Sequence, residues 1–256
     1  MIGTVGIIAT IALGRRELIR QFRQPSRIIA SIATPLLIWI FIVGGFSRAV
    51  GTVSGGEASL TAYTIPGMAS LTVMFASIFA AISLIQDRHD GVLRAALVSP
   101  APRWSIALSK IGSGSVIALA QALVVLLALP LLGVPLSLAA VLGAVAALAC
   151  ISIALIGIGL ALAWMVDSTQ GFHGVMNALL MPMWLTSGAV FPVDQAAGWL
   201  RAIALINPLT WTHTAMRSAL GMPDDLPAAL AWVISVGFAI FGIALGTWAI
   251  SRASAK

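Results

Sequence analysis

Charge is what this 256-residue chain has least of: Asp, Glu, Lys and Arg make up 9% of it. A soluble domain carries roughly 25%, so fourteen basic and eight acidic side chains cannot clothe a water-facing surface of this size. Cysteine occurs once, at Cys150 inside an apolar run, which excludes an intrachain disulfide and leaves the redox compartment open. Lysine occurs twice, at Lys110 and Lys256, and neither follows a glycine. The Gly-Lys-Ser/Thr phosphate loop is therefore missing, so if this protein pumps anything the energy must arrive from another chain. The apolar stretches carry no carboxylate and no arginine ladder, which removes the usual means of ion coupling and voltage sensing. No His-Glu-x-x-His motif, buried acid pair or Ser–His pair stands out for catalysis. His89, His173 and His213 are far apart and expected on both sides of a membrane, which argues against a shared metal site. Positive charge ahead of the first apolar stretch is also lacking, so the pattern of a cleavable signal peptide is not met.

What is present is apolar: 60% of the residues are hydrophobic. Runs at Ile28 to Phe46, Ala62 to Ile85, Trp104 to Leu129, Leu138 to Val166, Phe172 to Val190 and Ala228 to Ile250 are bounded by charge or turn residues. Crossing ~30 Å of hydrocarbon takes about 20 apolar residues. The runs predict an all-α integral membrane protein with six transmembrane helices, because an open sheet would strand backbone groups in lipid. Pro35, Pro66 and Pro182 fall within spans and can kink them. The fourth run is rich in alanine and glycine, which allows close helix approach.

The basic residues set the expected orientation. With the N-terminus inside, eleven of the fourteen lie in inner segments: Arg15, Arg16, Arg20, Arg23, Arg27, Arg88, Arg94, Arg103, Lys110, Arg252 and Lys256. Both termini are therefore expected in the cytoplasm. The net charge of +6 is read as a topology signal, with no nucleic acid as partner. Residues 1–27 are too charged to span. On a helical wheel Ile8, Ile11, Leu18, Ile19 and Phe22 share one face, and Arg16, Arg20, Arg23 and Arg27 another. This predicts an interfacial amphipathic helix with its arginines toward lipid phosphates.

Two segments carry further signal. Between the second and third runs, residues 86–103 begin polar and become amphipathic. Val92, Leu93, Ala96 and Leu97 form a stripe on a short helix that Ser99-Pro100 and Pro102 would stop. A stiff helix between two spans suits the docking of a partner. Between the fifth and sixth runs lie Ser187-Gly188-Ala189-Val190-Phe191-Pro192, an amphipathic stretch from Ala196 to Ile206, and Asn207-Pro208-Leu209-Thr210. Asn207 is placed to cap a helix with Pro208 at its first position. Two short helices dipping into the outer leaflet are expected over 188–212.

Together these segments resemble the ABC-2 type transporter permeases, over nearly the whole chain. The resemblance rests on the basic amphipathic start, the six spans, the acid-Arg-x-x-Gly-x-Leu segment ending in Ser-Pro, and the Ser-Gly-x-x-Phe-Pro to Asn-Pro-Leu-Thr stretch. It implies one transmembrane domain over 1–256 with a type V exporter-like layout. Residues 1–27 would be an elbow helix carrying Arg16, Arg20 and Arg23. Asp87, Arg88, Gly91, Leu93, Arg94 and Leu97 would form a coupling helix seated in a cytoplasmic ABC ATPase, although the family commonly has Glu where this chain has Asp87. Gly188, Phe191, Pro192, Asn207 and Pro208 would belong to the re-entrant outer gate. The implied assembly pairs two copies of the ATPase with two permeases, the second being another copy of this chain or a paralogue. The chain itself would hold no cofactor, with ATP and Mg bound by the ATPase. The implied setting is the cell membrane, with lipid around the spans. Trp39, Phe75, Phe79, Met176 and Trp184 are candidates for lining the pathway. A drug- or lipid-like amphiphile is the expected cargo. Polysaccharide export, or a scaffold that anchors an ATPase without transport, is the alternative.

Overall fold

In the computed structural model, residues 2–50, 60–166, 168–222 and 224–252 are described; Lys256, counted above among the basic residues, lies outside them. They are mostly helical, with no strand among the described residues: α1 (Ile2–Phe22), α2 (Pro25–Val50), α3 (Leu60–His89), α4 (Val92–Val98), α5 (Arg103–Leu126), α6 (Ala128–Leu131), α7 (Leu138–Met165), α8 (Thr169–Leu185), α9 (Gly198–Ile206), α10 (Pro208–Ala219) and α11 (Ala228–Ser251).

Local chemistry explains several boundaries. The Ser137 hydroxyl accepts from the Ala140 amide at 3.1 Å to start α7, and Ser168 accepts from Gly171 at 3.0 Å to start α8. Pro25 and Pro208 open α2 and α10, where a missing amide hydrogen costs nothing. The helices continue through Pro35, Pro66 and Pro182.

Among the described residues, five helical segments are long and apolar enough to cross a membrane: Pro25–Ile42, Ala62–His89, Arg103–Leu131, Leu138–Met165 and Ala228–Ser251. The expected fifth span is shorter than its apolar run. α8 stops at Leu185, and residues 186–191 leave the helix. At 1.5 Å per residue, 17 residues reach about 26 Å, short of a full hydrocarbon core.

α3 is the axis of the fold. It packs against α2, α5, α7, α8 and α10, and Ile65, Met68, Leu71, Ile78, Leu84 and Ile85 along it are fully buried. α7 and α11 make the closest helix pair. A Cβ on Gly242 would stand 2.5 Å from the Ala154 Cα, so only glycine permits that approach. Large apolar side chains such as Phe41 (74% exposed), Leu138 and Val233 point away from the body. An exposed apolar surface of this extent belongs in lipid.

The amphipathic start departs from expectation in two ways. The helix ends at Phe22, with Arg23 and Gln24 outside it, so Arg27 sits in the first turn of α2. Ile8, Ile11, Ile19 and Phe22 are exposed as the wheel predicts. The opposite face does not simply point to lipid phosphates, because Glu17 and Arg20 on it turn into the body.

Candidate functional site

Three elements meet at the arginine-rich end. α1 supplies Glu17 and Arg20, the last turns of α3 supply Ser83 and Asp87, and the second turn of α5 supplies Lys110. Glu17, Asp87 and Lys110 are only 3%, 4% and 5% exposed. The Lys110 Nζ lies 2.5 Å from Asp87 Oδ2 and 3.5 Å from Glu17 Oε2, and donates to the Ser83 hydroxyl at 2.9 Å. The Arg20 guanidinium donates to Asp87 Oδ1 and Glu17 Oε1, each at 2.7 Å. Arg16 adds a looser contact to Asp87 at 3.7 Å. Two acids thus face two close cations, which is the condition for burying charge without prohibitive cost. Burial pushes the Glu17 carboxyl up, yet Lys110, Arg20 and the Ser83 hydroxyl together hold it below its ordinary value.

Beyond this cluster α3 ends, and the chain reverses at Gly91, whose φ of +73° suits a residue without a Cβ. α4 then turns Leu93 into the core, with Ala96 and Leu97 packed behind it. Arg94 on the other side is exposed. The residues expected on one coupling helix therefore divide. Asp87 and Arg88 lie on α3, and both face their own chain. Arg88 donates to the carbonyls of Ala163 and Trp164 at 3.0 and 3.2 Å, capping the end of α7, and stacks over the Trp164 ring. Gly91, Leu93, Arg94 and Leu97 make up the turn and α4.

At the opposite end the segment after α8 is pinned to α3 and α10. The His213 imidazole sits between two hydroxyls, with Nε2 2.5 Å from Ser70 Oγ and Nδ1 2.9 Å from Ser187 Oγ. A Ser–His contact therefore exists, contrary to the sequence expectation; residues 26 and 143 positions apart form it. All three side chains are almost fully buried, so no reactant reaches them. Nδ1 also lies 3.2 Å from the Ser187 carbonyl, and the two hydroxyls reach the Gly67 and Trp184 carbonyls, so both ring nitrogens sit within a closed polar network. The arrangement is a lock, not a nucleophile. Desolvation and the nearby Arg217 push the His213 pKa down to about 3, keeping the ring neutral.

Gly188, with φ of +76°, presents its carbonyl to Arg217 Nη2 at 2.5 Å and to the Tyr63 hydroxyl at 3.3 Å. The Arg217 guanidinium also lies over the Tyr63 ring at 4.0 Å and 3.6 Å from Asp224. A Cβ on Gly67 would collide with the Ala189 carbonyl, so the loop lies directly on the α3 backbone. Asn207 caps α10 by accepting from the Leu209 amide at 3.0 Å, and its amide donates to the Met183 carbonyl and to Thr186. Pro208 follows as the first residue of that helix, while Phe191 and Pro192 are half-buried in the preceding loop.

The five lining candidates do not share one surface. Met176 and Trp184 are buried in the core, and the Trp184 indole donates to the Gly67 carbonyl at 2.9 Å. Trp39, Phe75 and Phe79 are half-buried and packed against the core. The Trp39 indole reaches Thr64, and Phe79 lies 6.0 Å from the His173 ring. No group of three or more metal-ligating side chains occurs among the described residues.

Sequence reasoning missed Glu17, Ser83, Ser70, Tyr63, the pairing of Ser187 with His213 and the inward turn of Arg20. One signal was available: Glu17 is the only acid in a basic helix and stands three residues before Arg20, on the same face.

Apolar helices of spanning length around a buried α3, with polar groups used to fasten helix ends, define a multi-pass helical membrane protein. The family model for ABC-2 type transporters matches residues 8–220, and the chain belongs to that family. It is 29% identical over 210 residues to a transport permease named ycf38 from Cyanophora paradoxa, covering 80% of this chain and 71% of that protein. It is 28% identical over 242 residues to a doxorubicin resistance ABC transporter permease named DrrC from Mycobacterium tuberculosis, covering 90% and 84%. The multidrug ABC transporter permease named YbhR from Escherichia coli is 29% identical over 153 residues, covering 57% of this chain and 40% of that protein. Membership makes the chain an ABC transporter permease subunit and implies an ABC ATPase subunit as its partner.

Proposed function

We propose that this permease couples to a separate ATPase through α4 and exports an amphiphilic, drug- or lipid-like molecule across the cell membrane. The observation that carries the reading is the build of α4. Leu93 anchors it, the left-handed Gly91 detaches it from α3, and Arg94 faces outward at the end where the arginines gather. That end is the cytoplasmic one by the distribution of basic residues. α1 is the elbow helix, α8 with the loop after it completes a sixth crossing, and α9 with α10 forms the outer re-entrant gate of a type V layout. Two copies of the permease and two ATPases form the working unit, and ATP with Mg sits in the ATPases. Movement imposed on α4 passes to α3 and α5, which hold the buried ion cluster. The drug-resistance names of two relatives support the substrate class.

Co-purification with candidate ABC ATPases, followed by ATPase assays with amphiphilic drugs, tests this. The wild type should retain an ATPase whose rate rises with drug. Arg94→Glu should weaken retention about tenfold, the scale of one charge-assisted contact, with insertion unchanged. Equal retention by Arg94→Glu and wild type would remove α4 as the coupling element.

A further inference from the structure

We propose that a cleft between α1, α2, α3 and α5 binds a phosphate ester oxyanion, presented by an anionic phospholipid, with Arg27 as its counter-ion. The cleft is narrow, with room for about one oxygen-sized atom, and is lined by Gln21, Arg27, Ile28, Ser31, Ala76, Phe79, Ile117 and Gln121. Arg27 is the only ionised group in that lining, and the acid nearest enough to act on it, Glu17, is itself held by Arg20 and Lys110.

The state of Arg27 sets it apart from the cations nearby. Arg20 and Lys110 are consumed by Glu17 and Asp87 at 2.5 to 3.5 Å. The Arg27 guanidinium makes no hydrogen bond or ion pair with any described residue. Its recorded contact is with the Phe79 ring, 5.9 Å from the centroid. A half-buried guanidinium with five donors and no acceptor is an incomplete arrangement. The surroundings add donors. The Gln21 Nε2 is buried and has no partner. The Gln121 Oε1 already accepts from Ser31 at 2.8 Å, which removes that acceptor and leaves the amide's N–H groups as its remaining function. A lining of one cation and amide donors, with the Gln121 acceptor engaged, suits an oxyanion.

Location selects the carrier. α1 lays Ile8, Ile11, Ile19 and Phe22 outward, and Ile29 is exposed two residues from Arg27. The cleft thus opens where these apolar faces meet the basic end, which is the depth of lipid phosphates. Acyl chains would lie on Phe22 and Ile29 while the phosphate rests at the mouth of the cleft and points one oxygen into it. The inference rests on the membrane placement of α1 and α2, not on coupling through α4, so the two can fail separately.

The test uses the full chain in nanodiscs of phosphatidylcholine with and without phosphatidylglycerol. Native mass spectrometry after detergent extraction counts the lipids retained. The wild type should keep one phosphatidylglycerol in preference to phosphatidylcholine. Arg27→Gln should lower that retention about 10- to 100-fold, the range of one or two charge-assisted bonds. Gln21→Leu should lower it about threefold and serves if Arg27→Gln does not fold. Arg15→Gln, an exposed arginine on the same α1 surface, should leave it unchanged. A second arm adds inorganic phosphate. Displacement of the lipid by millimolar phosphate, itself dependent on Arg27, would support the site and assign it to the free ion. Equal retention by Arg27→Gln and Gln21→Leu relative to wild type, or an equal loss in Arg15→Gln, would overturn the proposal.

Discussion

The two ends of this bundle are fastened by different chemistry. At the arginine-rich end, side chains hold side chains: two carboxylates and two close cations from α1, α3 and α5 form one ionic knot. At the opposite end, side chains mostly hold backbone. Arg217 and Tyr63 grip the Gly188 carbonyl, Trp184 the Gly67 carbonyl, and Asn207 the Met183 carbonyl. The first kind ties whole helices together and leaves their relative positions free to change as a unit. The second fixes the path of a loop residue by residue. Under the coupling proposed above, force would arrive at the ionic knot and the backbone-gripped end would keep its shape.

The contrast breaks most readily at the ionic knot. Lys110→Met leaves Glu17 and Asp87 buried with one cation fewer, and should cost about 3–5 kcal/mol, seen as a large drop in melting temperature in detergent. Adding Asp87→Leu to it should recover part of the loss, since a buried pair replaced whole is often neutral. A loss below about 1 kcal/mol for Lys110→Met would mean that water screens the cluster. At the other end, Arg217→Met leaves the Gly188 carbonyl with only the Tyr63 hydroxyl and removes the cation beside Asp224. It should cost less, about 2–3 kcal/mol, and should loosen the loop at 186–193 in hydrogen exchange while leaving α1 protected.

Most of the architecture was legible in the sequence because apolar length is a one-dimensional property. The runs from Ala62, Leu138 and Ala228 became α3, α7 and α11 with ends within a few residues, and Asn207-Pro208 gave the start of α10. The failures are where three-dimensional partners decide. Val190 looks like the end of a span, yet the close approach of Ala189 to Gly67 and the left-handed Gly188 end α8 early. Arg20 looks like a lipid-facing arginine until Glu17 and Asp87 are brought beside it. Ser70, Ser187 and His213 stand far apart in sequence, and only the fold makes them adjacent.

Acid should separate the two ends by pH. The His213 pKa lies at about 3 in the fold against an ordinary 6.5. Between those values the unfolded chain binds a proton that the folded chain refuses, so stability falls as pH falls. The slope is at most about 1.4 kcal/mol per pH unit. The Glu17 carboxyl is depressed, so its contribution is present above its ordinary 4.5 and is lost only as pH drops below that. Of these two groups, then, only the one at the loop end acts between pH 6.5 and 4.5. Melting curves at pH 7.0, 5.5 and 4.5 should show a decline that His213→Gln flattens. A decline unchanged in that variant would place the acid sensitivity elsewhere.

The finest comparison uses two matched glycines. Gly91 before α4 and Gly221 after α10 have φ of +73° and +69°, and a Cβ on either would meet nothing within 4 Å. Alanine at each position therefore adds backbone strain and no clash, at about 1 kcal/mol apiece. Equal stability loss is the expected baseline, read from paired melting curves. Function should not follow that baseline. Gly91→Ala tilts α4 relative to α3 and should lower ATPase retention and drug-stimulated hydrolysis several-fold, while Gly221→Ala, at the end away from the partner, should leave both as in the wild type. Because the two variants carry the same strain, a difference in coupling cannot be attributed to stability. If both variants lose coupling equally, or neither does, the left-handed turn at Gly91 has no role beyond closing the chain.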